Sequence, residues 1–72
     1  MISLKDVENV KQFVQKVEAF PYDFDLTQGR YIVDAKSLLG VLSLDLGSPV
    51  AMTVHTSDDI SDLLESIASY IS

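Results

Sequence analysis

Val17-Glu18-Ala19-Phe20-Pro21-Tyr22-Asp23-Phe24-Asp25-Leu26-Thr27 is where the chain changes its hydrophobic period, and that change decides the fold class. Up to Pro21 the apolar residues Val7, Val10, Phe13, Val14, Val17 and Phe20 follow the three-and-four spacing of one helical face. Glu8, Asn9, Lys11, Gln12, Gln15, Lys16 and Glu18 fill the other face, so the spacing predicts an amphipathic helix. Asp6 is its expected N-cap and Pro21 its stop. Beyond Pro21, Tyr22, Phe24 and Leu26 alternate with Asp23, Asp25 and Thr27, which predicts a half-buried strand. A helix giving way to an alternating strand excludes an all-helical chain and points to α+β.

Working outward, Gln28-Gly29 reads as a hairpin turn, with Gly supplying a positive φ, and Arg30 to Asp34 as the partner strand. The aromatics Tyr22, Phe24 and Tyr31 are expected in the core or in cross-strand pairs. Ser37 is placed to cap a short helix through Leu38, Leu39, Val41 and Leu42, with Gly40 an internal weak point. Gly47-Ser48-Pro49 reads as a loop, and Val50, Met52 and Val54 alternate as a further strand. The strongest helical periodicity is the last: Ile60, Leu63, Leu64, Ile67, Ala68 and Ile71. Ser57, Asp58 and Asp59 stand at its start, where negative charge suits the helix dipole. Ile2-Ser3-Leu4 is a candidate short first strand. One domain, residues 1–72, is expected: a two-layer α+β sandwich with helices on one face of an antiparallel sheet.

Composition narrows the chemistry. The 72 residues carry five Lys and Arg against eleven Asp and Glu, a formal net charge of −6. Residues 1–21 sum to zero, so the whole excess lies in residues 22–72, and no Lys or Arg follows Lys36. Nucleic acid is a poor partner for such a chain, because phosphate binding is driven by clustered cations. No Cys is present, which excludes disulfides, Cys-based zinc sites and thiol catalysis. No apolar run approaches the ~20 residues that cross a bilayer, and a cytoplasmic location is expected.

No catalytic constellation stands out, and neither an enzyme activity nor a cofactor or metal is expected. His55, the only His, falls on the outward face of a strand and reads as a solvated side chain. Asp58, Asp59, Asp62 and Glu65 read as the solvated face of one helix, without the turn-forming Gly of a calcium loop. Asp23 and Asp25 share an outer strand face, where nothing would drive their pKa values apart for acid–base work. The segment around Ser37 differs. Its hydroxyl stands beside unpaired backbone N–H groups that would hold a phosphate, and Leu38, Leu39 and Leu42 exceed what one turn can bury. A plain N-cap followed by core leucines is the simpler reading of the same residues.

Lys36-Ser37-Leu38-Leu39-Gly40-Val41-Leu42-Ser43-Leu44 resembles the signature Lys-Ser-Ile-Met-Gly-Val-Met-Ser-Leu of the HPr family, the phosphocarriers of the bacterial sugar phosphotransferase system. Gly29 before a strand, Phe20 at a helix end and the Ser/Asp-rich approach to a last helix align as well. The resemblance implies an open-faced sandwich: a four-stranded antiparallel sheet with three helices on one face, here with the first strand short or missing. It also implies that the family's phospho-accepting His and its Arg are absent, because Asp6 and Glu8 stand at those positions. The Ser at Ser37 is a regulatory phosphorylation site in Gram-positive relatives. One branch, the catabolite-repression HPr proteins, lacks the His and keeps that Ser.

The implied role is regulatory, with Ser37 phosphorylated by an HPr kinase/phosphorylase. Lys36, Leu38, Leu39 and Leu42 would form the partner surface, with a transcriptional regulator as one partner. Two alternatives stand beside it: a ligand-binding regulatory α+β module, and a degenerate paralogue serving only as a docking surface. A stub of a first strand would leave the edge of Val50–Thr56 open, and some self-association into a homodimer is expected there.

Overall fold

The computed structural model describes residues 1–71. The helix before Pro21 is α1, Val7–Glu18, and Asp6 caps it: the Asn9 amide donates to Asp6 Oδ1 at 2.8 Å. Val10, Phe13, Val14 and Val17 are buried, as their spacing predicts, whereas Val7 at the first turn is exposed. The alternating segment is β1, Asp23–Gln28, with Phe24 and Leu26 buried. β2, Tyr31–Asp34, and β3, Ala51–His55, flank it in the order β2-β1-β3, antiparallel throughout. The registers set Leu26 opposite Val33 and Met52, and Asp25 opposite Asp34 and Thr53.

α2, Leu38–Leu42, follows β2, and α3, Ser61–Ser66, follows β3. Residues from all three helices join Phe24 and Leu26 in one core with Leu4, Phe13, Val41, Leu63 and Ile67. The other sheet face, carrying Asp23, Asp25, Ile32, Thr53 and His55, stays open. This is the open-faced α+β sandwich expected. The fourth strand is reduced to one residue, Ile2, which bridges Val50 on one side and Ile71 on the other.

Three expectations need correction. The hairpin loop is Gly29-Arg30, one residue later than Gln28-Gly29, because Gln28 pairs with Tyr31. Only Gly29 has positive φ in this loop, +58°, the arrangement of a II′ turn with Gly first. Tyr31 is 69 % exposed and is not a core residue. It lies beyond the reach of the helix layer, whereas Tyr22 and Phe24 pack edge to face at 6.2 Å between centroids.

The last helix does not run to Ile71. α3 stops at Ser66, a 3₁₀ turn covers Ala68–Tyr70, and Ile71 leaves in extended geometry to bridge Ile2. The Ser3 amide donates to Tyr70 O at 2.7 Å, so the first segment takes the backbone groups that a longer helix would have used. No basic residue stands in the last turn of α3 to hold its carbonyl end. Among the described residues no helix is long and apolar enough to cross a membrane.

Candidate functional site

The short helix α2 is built around Ser37. The Asp34 carboxylate accepts the Lys36 amide at 2.9 Å, and the Ser37 amide donates to Asp34 O at 3.0 Å. These bonds turn the chain out of β2, an Asx-type turn readable in Asp34-Ala35-Lys36. Ser37 itself is extended, with φ −94° and ψ 105°, and its Oγ accepts the Gly40 amide at 3.3 Å. The Ser37 carbonyl accepts Val41 N at 2.9 Å, the one full helical bond the cap sets up. Ser37 is thus an exposed N-cap whose hydroxyl proton is not used by this contact.

Gly40 is more than a weak point. A Cβ there would stand 3.2 Å from Ser37 Oγ and 3.4 Å from Val33 Cβ. Absence of a side chain lets the helix lie close to β2 and leaves the Ser37 hydroxyl its space.

Of the apolar residues after Ser37, Val41 is fully buried and Leu42 half-buried against the core. Leu38 and Leu39 face solvent, and Leu39 is 81 % exposed. The structure therefore brings Ser37, Leu38 and Leu39 together on the surface and turns Leu42 mostly inward. α1 packs against α2, and its exposed first-turn residue Val7 escaped the periodicity reading because it belongs to the apolar series.

Lys36 departs from the surface role that its place beside Ser37 implies. Its ammonium donates to Phe20 O at 2.9 Å and lies 5.4 Å from the centroid of the Phe24 ring. Phe20 follows the C-terminal end of α1, where a cation complements the helix dipole. Asp6 lies at the opposite end of that 12-residue helix, about 18 Å of rise away. At the Asp6 end, Glu8 is exposed in the first turn and the preceding residue, Lys5, has φ +72°.

His55 lies on the open face, as its strand position predicts, but it has a partner that alternation alone did not show. Its Nε2 is 2.7 Å from Asp25 Oδ2, one step diagonally across β1 and β3. Both side chains are substantially exposed, so the pair contributes little to stability. The acids at the last helix do not share one helical face. Asp58 and Asp59 precede α3: Thr56 Oγ1 accepts the Asp58 amide, and Asp59 Oδ1 accepts both the amide and the hydroxyl of Ser61. Those Ser61 bonds, the hydroxyl first, hold the Asp59 carboxyl below its usual value.

Comparison with known proteins agrees with this geometry. Among solved structures, the catabolite repression containing protein Crh of Bacillus subtilis superposes with a TM-score of 0.69 at 22% identity, covering 100% of this chain and 88% of that one. That structure is described as a domain-swapped, intertwined dimer, and at this identity the likeness establishes the fold. No curated protein matches the chain. The family described as PTS HPr component phosphorylation site matches residues 7–72, from the first residue of α1 through α3. The chain therefore belongs to the HPr family of the phosphotransferase system.

Proposed function

We propose that this chain is a regulatory HPr-like protein, acting as one domain, that is phosphorylated on Ser37 and engages protein partners through Leu38 and Leu39. The observation that carries the reading is the exposed N-cap hydroxyl of Ser37 beside a leucine that is 81 % exposed. In the reaction the γ-phosphoryl group of ATP passes to Ser37 Oγ, the hydroxyl proton is released and ADP leaves. The ester carries about −1.5 to −2 charges at neutral pH, placed at the start of a helix where backbone N–H groups point outward. The enzyme is an HPr kinase/phosphorylase, this chain is its substrate, and a transcriptional regulator is a fitting reader of the modified form. A kinase that draws on ATP sets the exchange in the cytoplasm.

Relay of phosphate through a His does not fit these residues. By the spacing from Ser37, Asp6 occupies the place of the family's accepting His and Glu8 that of its Arg. Asp6 is committed to capping α1, and two carboxylates there repel an incoming phosphoryl group. His55 lies on β3, on the open sheet face beside Asp25.

Incubation with an HPr kinase and ATP, followed by mass spectrometry, should place one phosphoryl group on Ser37 and none on Ser37→Ala. Absence of label on Ser37 would sink the phosphorylation reading. Binding to a regulator that persisted equally in Ser37→Ala would favour a docking surface alone.

A further inference from the structure

The two edges of the sheet are not alike. Ile2 and Val50 exchange both backbone bonds, at 2.7 and 2.9 Å, so the polar groups of Val50 point away from β1. In an antiparallel sheet that direction returns at every second residue. The N–H and C=O of Met52 and Val54 therefore point outward too, while Ala51, Thr53 and His55 bond across to Thr27, Asp25 and Asp23. Among the described residues no strand lies opposite Met52 and Val54 on that side, since the bridge ends at Val50.

Exposed edges usually carry a Lys, a Pro or a bulge that discourages pairing. β3 reads Ala-Met-Thr-Val-His, with no Lys, Arg, Asp, Glu or Pro, in a chain whose net charge is −6. The β2 edge is defended. The Ala35 amide bonds Phe24 O, which sets the phase and turns the polar groups of Ile32 and Asp34 outward. The Asp34 carbonyl is already taken by Ser37 N and its carboxylate by Lys36 N.

We propose that β3 is an isologous interface: two copies of this chain pair β3 with β3, antiparallel, about a two-fold axis at Val54. The result is one six-stranded sheet in the order β2-β1-β3-β3-β1-β2. Val54 on the axis exchanges two backbone bonds with its counterpart, and Met52 of each copy comes opposite Thr56 of the other. On the open face Thr53 meets His55. The occupied end of the strand sets this register, because Ile2 fills the place opposite Val50. Pairing is thereby pushed toward His55. No carboxylate of one β3 faces a carboxylate of the other, so the contact avoids the acidic strands that would repel a second copy. The half-buried Met52 and Val54 extend the apolar layer across the join.

Sedimentation from low micromolar to millimolar concentration tests this directly. The average mass should rise from 7.9 kDa toward twice that value and stop. Val54→Pro removes an N–H that β1 does not use and should hold the chain monomeric, while Ile32→Lys on the β2 edge should dimerise like the unaltered chain. Because a proline can also unsettle its own strand, amide exchange in the unaltered protein supplies a second reading. Exchange at Val54 should slow with rising concentration and exchange at Ile32 should not. A monomer at every concentration overturns the proposal. So does growth beyond the dimer, which marks head-to-tail pairing of β2 with β3, or protection that rises at Ile32 instead of Val54.

Discussion

Replacing Lys36 by Met tests whether its ammonium is a structural tie or a free surface charge. Met keeps the apolar stem over Phe24 and removes only the charged head, so the loss is confined to two contacts. The first is the bond to Phe20 O at 2.9 Å, a charge-assisted hydrogen bond worth about 1.5–3 kcal/mol when buried and less here, where the group is half-exposed. The second is the approach to the Phe24 ring at 5.4 Å, worth about 0.5–1 kcal/mol at sites open to water. Together they set an expected loss of about 1–3 kcal/mol, with the Phe20 carbonyl left to find water. A domain of 72 residues holds roughly 4–11 kcal/mol in all, so the change is large on that scale. Each kcal/mol lowers the melting temperature of a domain this size by about 4–8 °C. Thermal and urea unfolding of Lys36→Met beside the unaltered chain measure it, and a cycle with Phe24→Leu isolates the ring contact. A melting point within about 2 °C of the unaltered chain would refute the reasoning and return Lys36 to the surface.

Two smaller perturbations probe other parts of the scaffold. Gln28 grips the backbone of Asp45 at both ends, donating from Nε2 to Asp45 O at 2.9 Å and accepting Asp45 N at 2.8 Å. Gln28→Leu should cost about 1–2 kcal/mol in urea unfolding and speed amide exchange at Asp45, and unchanged exchange there would contradict the role. Asp59 has a folded-state pKa below the ordinary 3.8 because Ser61 donates twice to it, so its contribution is complete above 3.8 and fades as pH falls through the lower folded value. The Ser61 amide shift, followed by NMR, should titrate with a midpoint below 3.8 and lose that step in Asp59→Asn; a midpoint at or above 3.8 would count against it.

What the sequence made legible was local. α1 and β1 follow from the period change at Pro21, because buried faces of helix and strand repeat at fixed intervals. The cap by Asp6, the cap by Ser37 and the exposure of at least one leucine among Leu38, Leu39 and Leu42 follow from residue chemistry within a few positions. Long-range facts were hidden. Ile60 to Ile71 keeps a helical period to the end, yet Ile71 is drawn into a bridge with Ile2, some seventy positions away. Periodicity cannot weigh a backbone partner that distant against one more helical turn. Lys36 beside Ser37 looks like a surface cation until the fold brings the end of α1 under it. His55 and Asp25 meet only because the β1–β3 register is known.

The same contest between local and distant partners shapes the approach to α1. The Asp6 amide donates to Leu4 O at 2.8 Å across Lys5, a γ-turn with φ +72° at its centre. For a residue with a side chain this positive-φ turn is the rare, strained form, costing about 1–3 kcal/mol. Nothing in Lys5 favours it, so the residues on either side must impose it. On one side Leu4 is fully buried, and Ile2 is bonded to Val50. On the other, Asp6 has to reach the Asn9 amide to start the helix. The Lys5 amide gains a bond to Leu46 O at 3.0 Å, which offsets part of the strain. A buried anchor and a helix cap stand only two residues apart, and the chain between them takes this turn. The segment is consequently held from both ends, with its carboxylate spent on the backbone. That is the arrangement of a fixed structural joint, and it supports a reading in which the working chemistry of this chain lies at Ser37 and not at the N-terminus of α1.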